Sequence, residues 1–399
     1  MATILITWEL GGGLGHVSPL QPVVDALAQR GCGVVVAMRQ VSHATMVFQH
    51  PSVRIVQAPY LAQRVTLPFK LQCNFAHILH NVGFDDVREL RARTIAWETL
   101  YEMVNPDVIV CDHSPTALLA SWQREVARLT IGTGFTCPPS CQWLPNWRPT
   151  VEPDLERLHR HEAGVTHNVN QLLRDWKRPP LAFLTELYAR VDETVLTTFA
   201  ELDHYQHPRD GEYWGTLPGM PGVPPCWPEA EGKRIFGYLK PNSHLPEILK
   251  GLIRLGLPTI VFVPGIPSES CPGFSTNLMR VVSEPLDMQR VAQECDVAIT
   301  HGGHGTTVDM LLAGKPLLVL PQQLEQRLTA QNLQRIGAGI GVSPQQPKNA
   351  LQGLRRVLHD PKFTAAAQQF AARHRGFDAA VTRERLVGRI AELATRTGS

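Results

Sequence analysis

Short, continuous apolar runs alternate along this chain with longer stretches in which apolar residues recur every three or four positions. Residues 4–7 form the first run, a glycine cluster follows (Gly11, Gly12, Gly13, Gly15), and Leu20, Val23, Val24 and Leu27 then share one face of an amphipathic stretch. Ser18 stands where it can cap that helix, Pro19 suits its first turn, and Gly31 suits its end. Residues 34–38 are apolar throughout, as a parallel strand covered on both faces must be, so one βαβ unit is complete by residue 38. The same alternation predicts strands at 55–58, 108–111 and 129–132, helices at 85–104 and 116–127, and polar helical patterns from 152 to 190.

Five prolines fall between 218 and 228, and a second series begins after them. Strands are predicted at 234–239, 259–263, 297–300 and 317–320. Helices are predicted at 244–255, 286–293, 304–313 and 325–336, with three more up to about 395. The expectation is an α/β protein of two doubly wound, Rossmann-like parallel-sheet domains facing across a cleft, the default place for a ligand. Its parts are residues 1–217, a Pro-rich linker at 218–232, a second domain at 233–377, and a C-terminal helix at 378–399 that crosses back to the first.

Composition narrows the function. Of 399 residues 43% are hydrophobic and 19% charged, and 38 Lys+Arg against 36 Asp+Glu leave a net charge of +2. No basic stripe exists to neutralise a phosphate backbone, so nucleic acid is not an expected partner. No apolar run reaches membrane-spanning length and the N-terminal run lacks a basic lead-in, so a soluble, cytoplasmic protein without an integral membrane segment is expected. Eight scattered cysteines in a chain this long read as reduced thiols; Cys137 and Cys141 form the single close pair, too few for a zinc site.

Two glycine loops carry the candidate chemistry. Residues 11–16 follow a strand and open a helix, where backbone N–H groups and the helix dipole receive anions. Read as a dinucleotide fingerprint, Gly13 and Gly15 supply the first G-x-G, but Ser18 replaces the third glycine and Arg39 the ribose-binding acid, which leaves an NADP-dependent oxidoreductase as an alternative. That reading gives no role to His16, where the loop meets the helix. The second loop, Thr300-His301-Gly302-Gly303-His304-Gly305-Thr306-Thr307, lies between an apolar strand and a helix. Three glycines, a helix N-terminus, a hydroxyl and an imidazole are the parts of a diphosphate cradle.

The run His301-Gly-Gly-His-Gly-Thr306 with Asp309, Gly314, Pro316, Pro321 and Glu325-Gln326 resembles, without a gap, the donor-binding signature of family 1 glycosyltransferases of the GT-B fold. Gly-Leu-Gly-His16-Val-Ser-Pro19 resembles that family's N-terminal element. The resemblance implies that His301 and Thr306, with Gly303, His304 and Gly305, contact a donor diphosphate, that Asp309 takes the place of a ribose-binding glutamate, and that Glu325 and Gln326 read sugar hydroxyls; Gly13 and Gly15 border the same donor. Ser283 and Leu286 stand where the plant branch has a stacking Trp and a Gln, which points to a bacterial-type base site for UDP or TDP.

The implied reaction is inverting transfer of a hexose from a nucleotide diphosphate sugar to an acceptor hydroxyl, with no further cofactor. His16 is the candidate general base, since a neutral imidazole accepts a hydroxyl proton. A buried carboxylate must orient it. Asp112, ending the strand at 108–111, is the expected partner, and Glu9 the weaker substitute. No Asp-x-Asp motif offers ligands for a divalent metal, so transfer is expected to need none. Phe69, Phe75, Phe84, Phe135, Trp143 and Trp147 fall in predicted loops of the first half and suggest a small, partly aromatic or lipid-like acceptor. A non-catalytic nucleotide-sugar-binding protein on the same scaffold is the remaining alternative.

Overall fold

A computed structural model describes residues 2–62, 65–209 and 211–396. The chain forms two compact units, Met1–Pro218 with Asp378–Ser399, and Gly219–Phe377.

The first unit is built on β1 (Thr3–Trp8), β2 (Gly33–Met38), β3 (Arg54–Gln57), β4 (Val108–Asp112), β5 (Ala127–Gly132) and β6 (Glu193–Leu196). All pair in parallel, in the order β3-β2-β1-β4-β5-β6. Its helices are α1 (Gln21–Gln29), α2 (Val41–Val47), α3 (Phe75–Leu79), α4 (Val87–Val104), α5 (Pro115–Ala120), α6 (Leu155–Asp175) and α7 (Glu186–Ala189). The central strands are apolar on both faces because helices cover both: Ile4, Leu5, Ile6, Val108 and Ile109 are wholly buried.

The second unit repeats the plan with β7 (Ile235–Tyr238), β8 (Thr259–Phe262), β9 (Met279–Val282), β10 (Val297–Thr300), β11 (Leu317–Val319) and β12 (Gly339–Gly341), in the order β12-β11-β10-β7-β8-β9. Its helices are α8 (Leu245–Ile253), α9 (Met288–Glu294), α10 (His304–Leu312), α11 (Leu324–Arg335), α12 (Pro347–His359) and α13 (Pro361–Arg373). The final helix, α14 (Ala379–Arg396), belongs to the first unit, where Leu386, Val387, Ile390 and Leu393 join the core that holds Val24 and Leu27 of α1. The Thr382 hydroxyl locks it there by donating to the Trp214 carbonyl at 2.9 Å. Part of the Pro-rich segment lies on the second unit: Val223 exchanges backbone hydrogen bonds with the Pro285 carbonyl and the Asp287 N–H, at 2.9 and 2.8 Å.

Several local expectations are corrected. Residues 18–20 form a 3-10 turn and α1 starts at Gln21 with no side-chain cap, so Ser18 does not cap it. The helix expected at 116–127 ends at Ala120, because the chain turns at Gln123 with φ +63° to feed β5. Phe75 lies in α3 and not in a loop, and both it and Phe84 are core residues without exposed surface. Trp143 is 39% exposed and stacks on His159, and Phe69 stacks on His77. Among the described residues no helix is long and apolar enough to cross a membrane.

Candidate active site

In each sheet the chain winds outward in both directions from the two middle strands, so the loops leaving their carboxyl ends diverge and open a crevice there. In the first unit those strands are β1 and β4, with Trp8 paired to Asp112 in register. A hydrogen bond from Leu10 N–H to the His113 carbonyl, 3.1 Å, ties the two loops together.

Across this crevice His16 Nδ1 lies 2.9 Å from Asp112 Oδ2. The side chains are 19% and 8% exposed, so the pair is screened by little water while the imidazole still reaches the surface. With Asp112 accepting the Nδ1 proton, the lone pair resides on Nε2. Trp8 stacks under the imidazole at 5.5 Å between centroids and holds its plane. Gly11 permits the arrangement: it has φ +93°, and a Cβ there would sit 2.6 Å from His16 Nε2. Gly13, at φ +76°, donates its N–H to Gln40 Oε1 at 3.2 Å, and Gly15 is exposed with nothing crowding it.

Glu9 lies apart from His16. Wholly buried, it accepts from Thr116 N–H at 2.9 Å, from the Thr116 hydroxyl, and from Arg93 Nη1 at 3.2 Å. Burial pushes its carboxyl up, and the Arg93 guanidinium opposes that shift. It braces the loop after β1 against the start of α5.

In the second unit the middle strands are β7 and β10, with Tyr238 paired to Thr300. His301 N–H donates to the Tyr238 carbonyl at 3.1 Å, and the His301 ring stands edge-on to the Tyr238 ring. Burial, helped by the charge of Lys240, pushes the His301 imidazole down to about 4, so it is neutral at pH 7. Gly302 turns the chain at φ +87°, where a Cβ would meet Val319 Cγ1 at 2.7 Å. Gly303 is the N-cap of α10 and uses no side-chain cap; its carbonyl accepts from Thr307. The N–H groups of His304, Gly305 and Thr306 thus lie in the first turn, where no helix carbonyl precedes them.

Asp309 follows on α10, half-buried as a residue, its carboxyl raised to about 7 by burial. Gln326 Oε1 accepts from Gln322 N–H at 2.8 Å and Gln323 N–H at 3.2 Å, closing a capping box on α11. Only its amide nitrogen remains for a ligand. Glu325, beside it, is half-buried. Leu286 packs under Gly222, where a Cβ would meet its carbonyl carbon at 2.2 Å.

The family model described as erythromycin biosynthesis protein CIII-like, C-terminal domain, matches residues 268–378. The PGL/p-HBAD biosynthesis glycosyltransferase of Mycobacterium tuberculosis is 23% identical over 311 residues, 72% of this chain and 71% of its own length. The 3-alpha-mycarosylerythronolide B desosaminyl transferase of Saccharopolyspora erythraea is 21% identical over 383 residues, 79% of this chain and 86% of its own. The crystal structure of the glycosyltransferase VinC in complex with DTDP matches 99% of this chain and 100% of that one, with a TM-score of 0.65 at 16% identity. The chain is a glycosyltransferase with the GT-B fold.

One charged residue beside the glycine loop, Lys240, had no place in the sequence reading. Lys240 follows β7 by two positions and is half-buried. Burial lowers its ammonium pKa, while Glu325 opposes that shift, so its charge acts between His301 and Glu325. A lysine just past an apolar strand was visible in the sequence; the β7–β10 pairing that sets it beside the glycine loop was not.

Proposed function

We propose that this glycosyltransferase moves a hexose from a UDP- or TDP-sugar to an acceptor hydroxyl by single displacement, with inversion at the anomeric carbon and without a metal. The observation that carries the reading is the His16–Asp112 contact at 2.9 Å. His16 Nε2 takes the hydroxyl proton as the acceptor oxygen forms its bond to the anomeric carbon. The bond from that carbon to the diphosphate breaks, and Asp112 stabilises the imidazolium that results. Displacement from the face opposite the leaving group inverts the centre.

The second unit receives the leaving diphosphate. The α10 N-terminus at His304, Gly305 and Thr306 offers N–H groups and the positive end of the dipole, and His301 offers a neutral imidazole. Lys240 supplies a full positive charge, the task a divalent cation performs in metal-dependent transfer. In this reading Asp309 takes the ribose hydroxyls and Glu325 those of the sugar. The thymidine diphosphate bound to VinC supports a TDP donor, and the desosaminyl transferase name supports a natural-product acceptor.

Turnover of TDP-glucose and UDP-glucose, with the product's anomeric configuration read by NMR, tests the proposal. The rate is expected to survive millimolar EDTA; its loss, restored by magnesium, would overturn the metal-free claim. Lys240→Met is expected to weaken TDP or UDP about 10- to 100-fold, the worth of a charge-assisted hydrogen bond. Thymidine and uridine, which lack phosphate, should bind the variant as they bind the parent. Equal weakening of nucleoside and nucleotide in calorimetric titration would place Lys240 away from the diphosphate.

A further inference from the structure

A pocket of about 390 Å³, at the small end of the range for ligand sites, opens in the first unit between Phe69, the turn after α3, and α6. It lies on the side of α3 that turns away from the His16–Asp112 pair. Residues 75 and 77 stand about 200° apart around a helix. Phe75 meets His113, Trp147 and Tyr188, whereas His77 is covered by Phe69, stacked on it at 3.9 Å between centroids. Phe69 also meets His80 and His161 at 4.6 and 4.7 Å, so three imidazoles share one phenyl ring. Gly164 lines the pocket from the middle of α6. Glycine inside a helix is destabilising relative to alanine, and a Cβ here would meet nothing within 4 Å. Packing therefore does not demand this glycine, but open space for a ligand does.

The bonds behind the pocket fix what it offers. Cys73 N–H donates to His77 Nδ1 at 3.2 Å, which puts the His77 proton on Nε2. Burial, and then the charges of His161 and His80, push the His77 imidazole down to about 4, so this tautomer is neutral at pH 7. His77 Nε2 donates in turn to His161 Nδ1 at 2.9 Å, and the His161 proton sits on Nε2, the atom left for a ligand. A metal ion needs a bare nitrogen, which this relay withholds; an oxygen acceptor is what it suits. Arg160, His80 and His167 line the same pocket, with Asp85 as the one acid among its lining residues. Burial lowers the His161 imidazole, and Arg157, His80 and Arg160 lower it further against Glu152, the mark of a positive potential at this place.

We propose that this pocket binds a small organic anion, a carboxylate or phosphate on an apolar body, at a site separate from the one where transfer takes place. The anionic oxygens accept from His161 Nε2 and pair with the Arg160 guanidinium, while the apolar body lies over Gly164 against Phe69. Proton uptake by His80, His161 and His167 adds positive charge around the anion and Asp85 opposes it, so affinity rises as pH falls through the histidine range. None of these residues belongs to the proposed transfer machinery, and the site stands independently of it.

The test titrates the full chain calorimetrically, with TDP present to occupy the glycine loop of the second unit. The probes are 2-naphthoate with its uncharged counterpart 2-naphthamide, and 1-naphthyl phosphate with 1-naphthol, which separate a carboxylate ligand from a phosphate. The parent protein is expected to bind at least one anion about 10-fold or more tighter than its uncharged counterpart, the worth of a charge-assisted hydrogen bond. His161→Phe keeps a ring beside Phe69 and removes the donor, so it should abolish most of that preference and leave the uncharged probe unchanged. Gly164→Leu fills the pocket and should weaken the anion by a similar factor. It also puts a good helix former into α6, so it remains a sound test should His161→Phe unfold. Turnover of TDP-glucose by Gly164→Leu should equal the parent's. No preference for either anion, or an anion affinity that Gly164→Leu leaves intact, would overturn the site. Lost turnover in a folded Gly164→Leu would make the pocket part of the transfer site and overturn its separateness.

Discussion

His16→Ala is expected to lower kcat roughly a hundred- to ten-thousand-fold, the contribution of a positioned general base. The imidazole is the group that both touches a buried carboxylate and reaches the surface beside the loop of residues 11–16. Binding of TDP or UDP should survive, because the glycine loop and Lys240 belong to the second unit. The parent should lose rate as pH falls and the imidazole takes up its proton; the variant's residual rate should lack that limb. His16→Gln separates packing from chemistry, since the amide fills space over Trp8 without accepting a proton at neutral pH. Single-turnover rates with the nucleotide affinity measured alongside decide the matter, and a variant within tenfold of the parent would remove His16 from the role of base.

That His16 and Asp112 were legible at all follows from the parallel sheet. A strand's carboxyl end is recognisable as the point where an apolar run stops, and all such ends in one sheet open on one edge. Asp112 after 108–111 and His16 after residues 4–7 were therefore expected on one edge, the family resemblance singled out the pair, and the β1–β4 pairing brings them together. The glycine loop after β10 was legible for a related reason: Gly302 at φ +87° and Gly303 at the helix cap are demanded by local geometry, so local sequence records them.

What tertiary packing decides was not legible. His113, Trp147 and Tyr188 come from a strand end, a Pro-rich loop and a four-residue helix, and nothing in their own neighbourhoods announces that they share Phe75. The capping box that Gln326 Oε1 closes on α11 was equally absent from the sequence reading. The strands β6 (Glu-Thr-Val-Leu), β9 (Met-Arg-Val-Val) and β12 (Gly-Ile-Gly) escaped because polar residues or glycine break their short apolar runs, whereas β11, equally short, is apolar throughout.

Asp112→Asn tests the other half of the dyad and is expected to cost nearly as much as His16→Ala. Asparagine keeps the size and donates its amide proton to Nδ1, which forces the imidazole proton onto Nε2, the atom that has to accept the acceptor's proton. In a serine-hydrolase triad the same substitution lowers turnover by about four orders of magnitude. Residues that act as one unit fail to add, so the double variant His16→Ala/Asp112→Asn should be no slower than His16→Ala within about threefold. Glu9→Gln supplies the contrast: Glu9 bonds Thr116 and Arg93, not His16, so its loss should lower the unfolding temperature and leave the pH limb of kcat in place. Strictly additive losses in the double variant would mean that Asp112 acts on something other than His16. A pH limb abolished by Glu9→Gln and kept by Asp112→Asn would move the orienting role to Glu9.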